Sequence, residues 1–455
     1  MKRHISPHSN LLIIILAVAP FMAHAQFDEY YGRPSYWRPY DQRGINVFET
    51  TKTPDSIPYT GPRVRLGAGF TQQFQNLEAE NTALNNGGNT VATAEANKLY
   101  PLSPGFMTAM ANLYVDIQLA DGIRLNVTSY LSARHHNETW VKGGYIQFDK
   151  LPFKGEFWTN LMKITTIKVG HMEINYGDAH FRRSDGGQAL YNPFMESYIM
   201  DAFATEIGGE VYVQKNGLFG MVGVSNGMIK GNVDSAQAST VDANTHTDPS
   251  VYLKAGIDRQ LTEKVRVRVS GSYYHNSSSP RSGLTLYGGD RTGSNYQNVV
   301  EKWVSDGAAQ SSDDIAFSGR LNPGFTKKID AFMLNGFLKA GGFEFFGTYE
   351  NAKGRTKTET ENRTASQYGV EGVYRFGSAE NVYVGIRYNE VKAELSGFTD
   401  EVNVNRVAFA AGWFVTKNLL LKGEVVNQHY KNFPDTDYRN GAKFNGYVIE
   451  AVVGF

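Results

Sequence analysis

A hydrolytic centre needs a nucleophile beside a base and a third group to orient that base. The nearest arrangement in these 455 residues is His275 ahead of Ser277, Ser278 and Ser279. No recognisable local signature accompanies it, and it falls at a strand-to-loop boundary where polar residues are expected anyway. His171, Glu173, Asp178 and His180 carry ligand-type side chains, as do His135 and His136, but neither set has the tight spacing on one element that a bound metal requires. Asp435, Asp437, Asn440 and Gly441 lack the closing bidentate glutamate of a calcium loop. The glycine-rich stretches match no phosphate-cradling pattern. With no cysteine in the chain, disulfides, thiolate metal sites, cysteine nucleophiles and an acylated N-terminal cysteine are all excluded. No enzyme activity, metal or cofactor is therefore expected.

The remaining charged residues follow a different rule, alternation. In Val265-Arg266-Val267-Arg268-Val269, three valines share one face of a strand and two arginines the other. Ile123 to Thr128 and Val382 to Tyr388 repeat the pattern. Turning every apolar phase outward leaves an inward set comprising Arg124, Lys168, Glu206, Glu210, Arg266, Arg268, Glu371, Arg375 and Arg387, joined by Arg63, Arg65, Lys254, Asp258, Lys422, Glu424 and Glu450. These ten bases and six acids would steer ions by sign with a mild anion preference at most, or simply neutralise one another in facing pairs.

The elements that would hold such faces are short strands. Glycine is common at 47, tyrosine and phenylalanine number 26 and 27, and mean hydropathy is −0.38. That profile suits a wall greasy outside and polar inside. Sixteen strands are predicted, beginning near Val64, Ala109, Ile123, Val141, Ile164, Ala202, Leu218, Val251, Lys264, Ile329, Phe343, Gln367, Asn381, Val402, Leu419 and Phe444. Turn-prone links such as Asp121-Gly122, Gly341-Gly342 and Thr416-Lys417-Asn418 alternate with long polar loops, with Lys150 to Lys163 the one long link on the short side. The fold class is all-β: a transmembrane antiparallel β-barrel of about sixteen strands, an even number that closes without free edges, with both termini periplasmic.

Lys2 and Arg3, the apolar run Leu11 to Ala19, and Ala23-His24-Ala25 read as a signal peptide over 1–25, too short in its apolar part to span a membrane as a helix. Lys plus Arg and Asp plus Glu are 45 each; without Lys2 and Arg3 the balance is 43 − 45 = −2, so nucleic acid is not an expected partner. Residues 26–62 do not alternate and read as a periplasmic segment, a tail in preference to a small plug. Residues 63–455 form the barrel. Aromatic residues such as Trp413 fall where interfacial girdles belong.

The last strand puts Tyr447, Ile449, Ala451, Val453 and Phe455 on one face. This alternating end with its terminal phenylalanine resembles the assembly signal that the barrel-insertion machinery reads. Together with the signal peptide, the sixteen strands and the segment Gly177 to Asp201, it makes most of the mature chain similar to porins of the Bacteroidota and, more distantly, to phosphate-selective porins O and P. The resemblance implies an outer-membrane location in contact with lipid, passive diffusion of small hydrophilic solutes or ions, and a homotrimer. It also implies a third outside loop folded into the barrel, where Arg182, Arg183 and Asp185 would line a constriction. The phosphate-selective porins depend on an arginine ladder and a lysine well. Here only the pairs Arg266 with Arg268 and Arg182 with Arg183 stand, interleaved with acids, so the architecture carries over and the substrate does not. Two alternatives stay open: a plugged, substrate-specific uptake channel with 26–62 as its hatch, against which the charged lumen counts, and a structural or secretion-associated barrel whose loop Asn276 to Lys327 binds another protein.

Overall fold

Alternation builds the wall: Val269 is 51% exposed on the outer face while its neighbour Arg268 is buried inside. The computed structural model describes residues 36–53, 57–132, 139–229, 233 and 235–455; the signal-peptide assignment lies outside them. Its strands are β1 (Arg63–Glu80), β2 (Met110–Ala120), β3 (Ile123–Leu131), β4 (Trp140–Phe148), β5 (Thr165–Glu173), β6 (Thr205–Lys215), β7 (Leu218–Ser225) and β8 (Ser250–Thr262). The wall continues with β9 (Val265–Asn276), β10 (Lys328–Ala340), β11 (Phe343–Arg355), β12 (Arg363–Phe376), β13 (Val382–Ala393), β14 (Val402–Thr416), β15 (Leu419–Lys431) and β16 (Lys443–Gly454).

Each strand pairs antiparallel with the next, and β1 closes the barrel on β16 from Gly69↔Gly454 to Glu80↔Lys443. A two-residue strand, Gly105–Phe106, adds to β1. The sixteen-stranded barrel is the predicted fold, and the largest offset among strand starts is four residues, Gln367 against Arg363. Tight turns such as Gly341-Gly342, with Gly341 at φ +59°, join the strands at one end. At that end the long link carries α1 (Glu156–Met162). No helix among the described residues is long and apolar enough to cross a membrane.

Apolar side chains such as Leu66, Val169, Phe409 and Val425 cover the outside. Trp413, Tyr374 and Phe376 ring the turn end, and Tyr273, Tyr349 and Tyr368 the loop end. Tyr447, Ile449 and Phe455 are exposed on this face, with Ala451 and Val453 half-buried beside them.

The inside is filled on one side. The loop between β5 and β6, residues 174–204, folds into the lumen and buries Phe194, Met195 and Ile199 completely. The loop between β9 and β10 packs above it, burying Leu286 and Val299. Residues 36–53 also lie within the barrel, which corrects the preference for a tail over this part of 26–62. Trp37 is 2% exposed, Phe48 packs edge-on against Phe181 and Phe337, and Glu49 reaches Arg268 at 2.7 Å and Lys254 at 3.2 Å. Inward charges on β8 and β9 find their counter-charge on this segment, and that holds it inside.

Candidate functional site: a cavity between the inserted segments and the wall

The inserted β5–β6 loop is clamped against β12–β16 by side chains gripping its backbone. Lys422 Nζ donates to the carbonyls of Ala189, Asn192 and Phe194 at 3.1, 3.2 and 2.9 Å and pairs with Glu450 at 2.6 Å. Glu424 accepts from Met195 N at 2.9 Å, and Arg387 donates to Glu196 O at 2.6 Å. On the opposite side Gly187 lies so close to Gly69 and Asn112 that an added Cβ would meet their backbone atoms at 2.5 Å, so this contact requires glycine.

Between this loop, residues 36–51 and the wall from β2 to β6 lies a cavity of about 470 Å³. On β3 its lining runs from Arg124 to Thr128, and on β5 from Lys168 to Glu173. At about 3.3 Å per residue these spans are roughly 13 and 17 Å along the strands, or about 10 and 13 Å along the axis of a barrel whose strands tilt by about 40°.

Every acid lining the cavity is paired. Glu49 is held by Arg268 and Lys254, Glu173 by His180 at 2.8 Å, and Asp185 by Lys142. The bases outnumber them. Arg183 pairs with Asp201, and Arg124 lies 3.5 Å from Asp116, which also binds Arg65. Arg38 donates only to the carbonyls of Gly44 and Phe181, the latter at 2.8 Å, and lies 3.7 Å over the Tyr191 ring. Among the described residues Lys168 meets no carboxylate within ion-pair distance; it faces the rings of Tyr145 and Tyr212 at 5.3 and 5.0 Å. Among the described residues, Trp37 Nε1, Arg124 Nε, and Arg183 Nε and Nη1 are buried away from the cavity surface without a hydrogen-bond partner. Burial pushes the His180 imidazole below its ordinary range, with Glu173 opposing. The Glu49 carboxyl is held well below its usual range: burial would raise it, but Lys254 and then Arg268 overcome that.

Of the three constriction candidates, Arg183 and Asp185 line this cavity and Arg182 does not. Arg182 turns to the far wall, where it pairs with Glu371 at 3.3 Å and Glu344 at 3.7 Å and hydrogen-bonds Asn46. Of the nine wall charges, Arg124 and Lys168 line the cavity and the others fasten structure. Glu206 accepts from Ser225 and Tyr274, Glu210 from Asn175 N and Tyr212. Arg266 binds Asp258 and Asn46 O, Arg268 binds Asp178 and Glu49, Arg375 binds Glu344, and Arg387 binds Glu371. The ligand-type set divides: His180 joins Glu173, Asp178 joins Arg268 and Lys254, and His171 reaches Thr205 O. His135 and His136 lie outside the described residues. Trp37, Arg38, Tyr40 and Lys142 were not singled out from sequence; the Tyr, Arg and Pro content of 26–62 was the only signal for the first three.

No protein-family profile matches the chain, and neither does any curated protein sequence. Solved structures do. An anion-selective porin from Comamonas acidovorans superposes with a TM-score of 0.50 at 10% identity, covering 87% of this chain and 100% of that one. The outer-membrane channel DcaP of Acinetobacter baumannii gives 0.48 at 10% identity, covering 88% and 99%. OmpT, an outer-membrane protein of Vibrio cholerae, gives 0.47 at 10% identity, also covering 88% and 99%. The Comamonas likeness is one of fold: a closed sixteen-stranded antiparallel barrel.

Proposed function

We propose that this chain is an outer-membrane porin through which small hydrophilic solutes or ions diffuse passively, by way of the eccentric cavity beside β2–β6 and not along the barrel axis. The observation that carries the reading is a closed barrel, apolar outside, whose inserted segments leave a cavity of about 470 Å³ against the wall, lined by charged and aromatic side chains. In this reading the turns and both termini face the periplasm, Phe455 and its outward neighbours are the assembly signal, and Arg183 with Asp185 forms the constriction. The Bacteroidota affinity and the homotrimer remain parts of the same proposal. A second reading, a plugged substrate-specific channel, is favoured by one observation: residues 36–53 lie in the lumen. Reconstitution in a planar bilayer separates the two. Stable conductance steps from the full mature chain support diffusion, whereas a folded barrel that conducts only after residues 36–53 are deleted is plugged.

A further inference from the structure

The cavity has an imbalance that the protein itself does not settle. Its three acids each have a partner within the protein, while among the described residues Arg38 and Lys168 meet no carboxylate within ion-pair distance. Charged donors bind an anionic acceptor most strongly, and both side chains are partly exposed. Aromatic rings, including the partly exposed Tyr40, Tyr145 and Phe181, form much of the remaining lining, and a volume near 470 Å³ falls within the range of small-molecule sites. From this we infer that the cavity is a binding site for a small organic carboxylate carrying a ring, its anionic end held by Arg38 and Lys168 and its ring against the partly exposed tyrosine and phenylalanine side chains. The inference deepens the channel reading and rests on it for the claim that the ligand is a transported solute.

The site is split. Trp37 and Arg38 belong to the N-terminal segment, while Lys168 and Arg124 belong to β5 and β3. A bound carboxylate therefore ties the segment to the wall, and occupancy and segment position are coupled.

The test uses the full mature chain in detergent, with binding followed by tryptophan fluorescence and calorimetry. Benzoate is the probe, with benzyl alcohol, benzylamine and inorganic phosphate as comparisons. Saturable benzoate binding is expected, with little from the neutral or cationic analogues. Lys168→Gln, on a rigid wall strand, is expected to weaken benzoate about ten- to hundred-fold, as loss of a charged hydrogen-bond donor does. Arg38→Gln should weaken it similarly, and Lys353→Gln, exposed on β11, should not. Heat-modified gel mobility verifies that each variant is folded. The inference is overturned if benzyl alcohol or phosphate binds as tightly as benzoate, or if folded Lys168→Gln binds unchanged. A barrel that conducts but binds no benzoate removes this inference and leaves the porin reading intact. One that binds benzoate but never conducts supports the site and removes the porin reading.

Discussion

Glu49→Gln should release the N-terminal segment without unfolding the barrel. In the parent chain the Glu49 carboxylate is 2.7 Å from Arg268 and 3.2 Å from Lys254, and all three side chains are at most 3% exposed. Asp178 completes the cluster at 2.8 Å from Arg268 and 2.6 Å from Lys254, so two acids balance two bases. The substitution leaves one buried positive charge uncompensated. Removing one partner of a buried pair costs about 3–5 kcal/mol. Asp178 keeps contact with both bases, which places the cost at the lower end, and about 3 kcal/mol is roughly a hundredfold in an equilibrium. That cost falls on docking of the segment, because Arg268 and Lys254 sit on strands held by complete ladders on both sides. Trypsin reads it out at Lys52, whose ammonium is docked on Asp149 and the Thr165 carbonyl in the seated segment, and cleavage tracks the released population when release is fast relative to cutting. Cleavage after Lys52 should accelerate by about a hundredfold while the barrel fragment stays intact. Equal rates in parent and variant would refute the ion-pair latch.

Acid should act through the same latch. A carboxyl held below its usual range contributes stability that is fully present above the unfolded value near 4.5 and lost as pH falls toward the depressed folded value, so segment release should begin below about pH 4.5 and be absent at pH 7, as followed by acrylamide quenching of Trp37. Lys422→Met leaves Glu450 unpaired and three loop carbonyls without their donor; a stability loss of about 3–5 kcal/mol is expected, visible as a lower temperature for the heat-modified gel shift. Gly187→Val would drive side-chain carbons into the backbone of Gly69 and Asn112, so the inserted loop should detach there and larger conductance steps should appear, with barrel circular dichroism unchanged.

The wall was legible residue by residue where an exposed apolar face backs a polar interior one. β9 could be read from Val265 to Val269 because each outward valine has a charged neighbour pointing in. Where the environment is uniform the boundaries slipped: β6 begins at Thr205 and not Ala202, because 201–204 belong to the buried return of the inserted loop. The interior was less legible. A segment such as 36–53 meets the wall, the inserted loop and the cavity on different sides, so it has no periodicity to reveal its burial. The inward charges were identifiable as inward but not as fasteners, because partners such as the carbonyls gripped by Lys422 are more than 200 residues away and carry no side-chain signature. For the same reason a charged lumen counts for an inserted segment and not against one: Glu49, Asn46 and Arg38 dock through those charges and through backbone carbonyls.

The absence of native cysteine makes the most direct test available. Single cysteines at Thr128, which lines the cavity, and at Ser272, buried beneath the inserted loop, would each be treated with a bulky thiol reagent during single-channel recording. A steep fall in conductance on modification at Thr128, with none at Ser272, is the expected result. Stable channels that remain unchanged after complete modification at Thr128 would contradict the proposed route through the cavity.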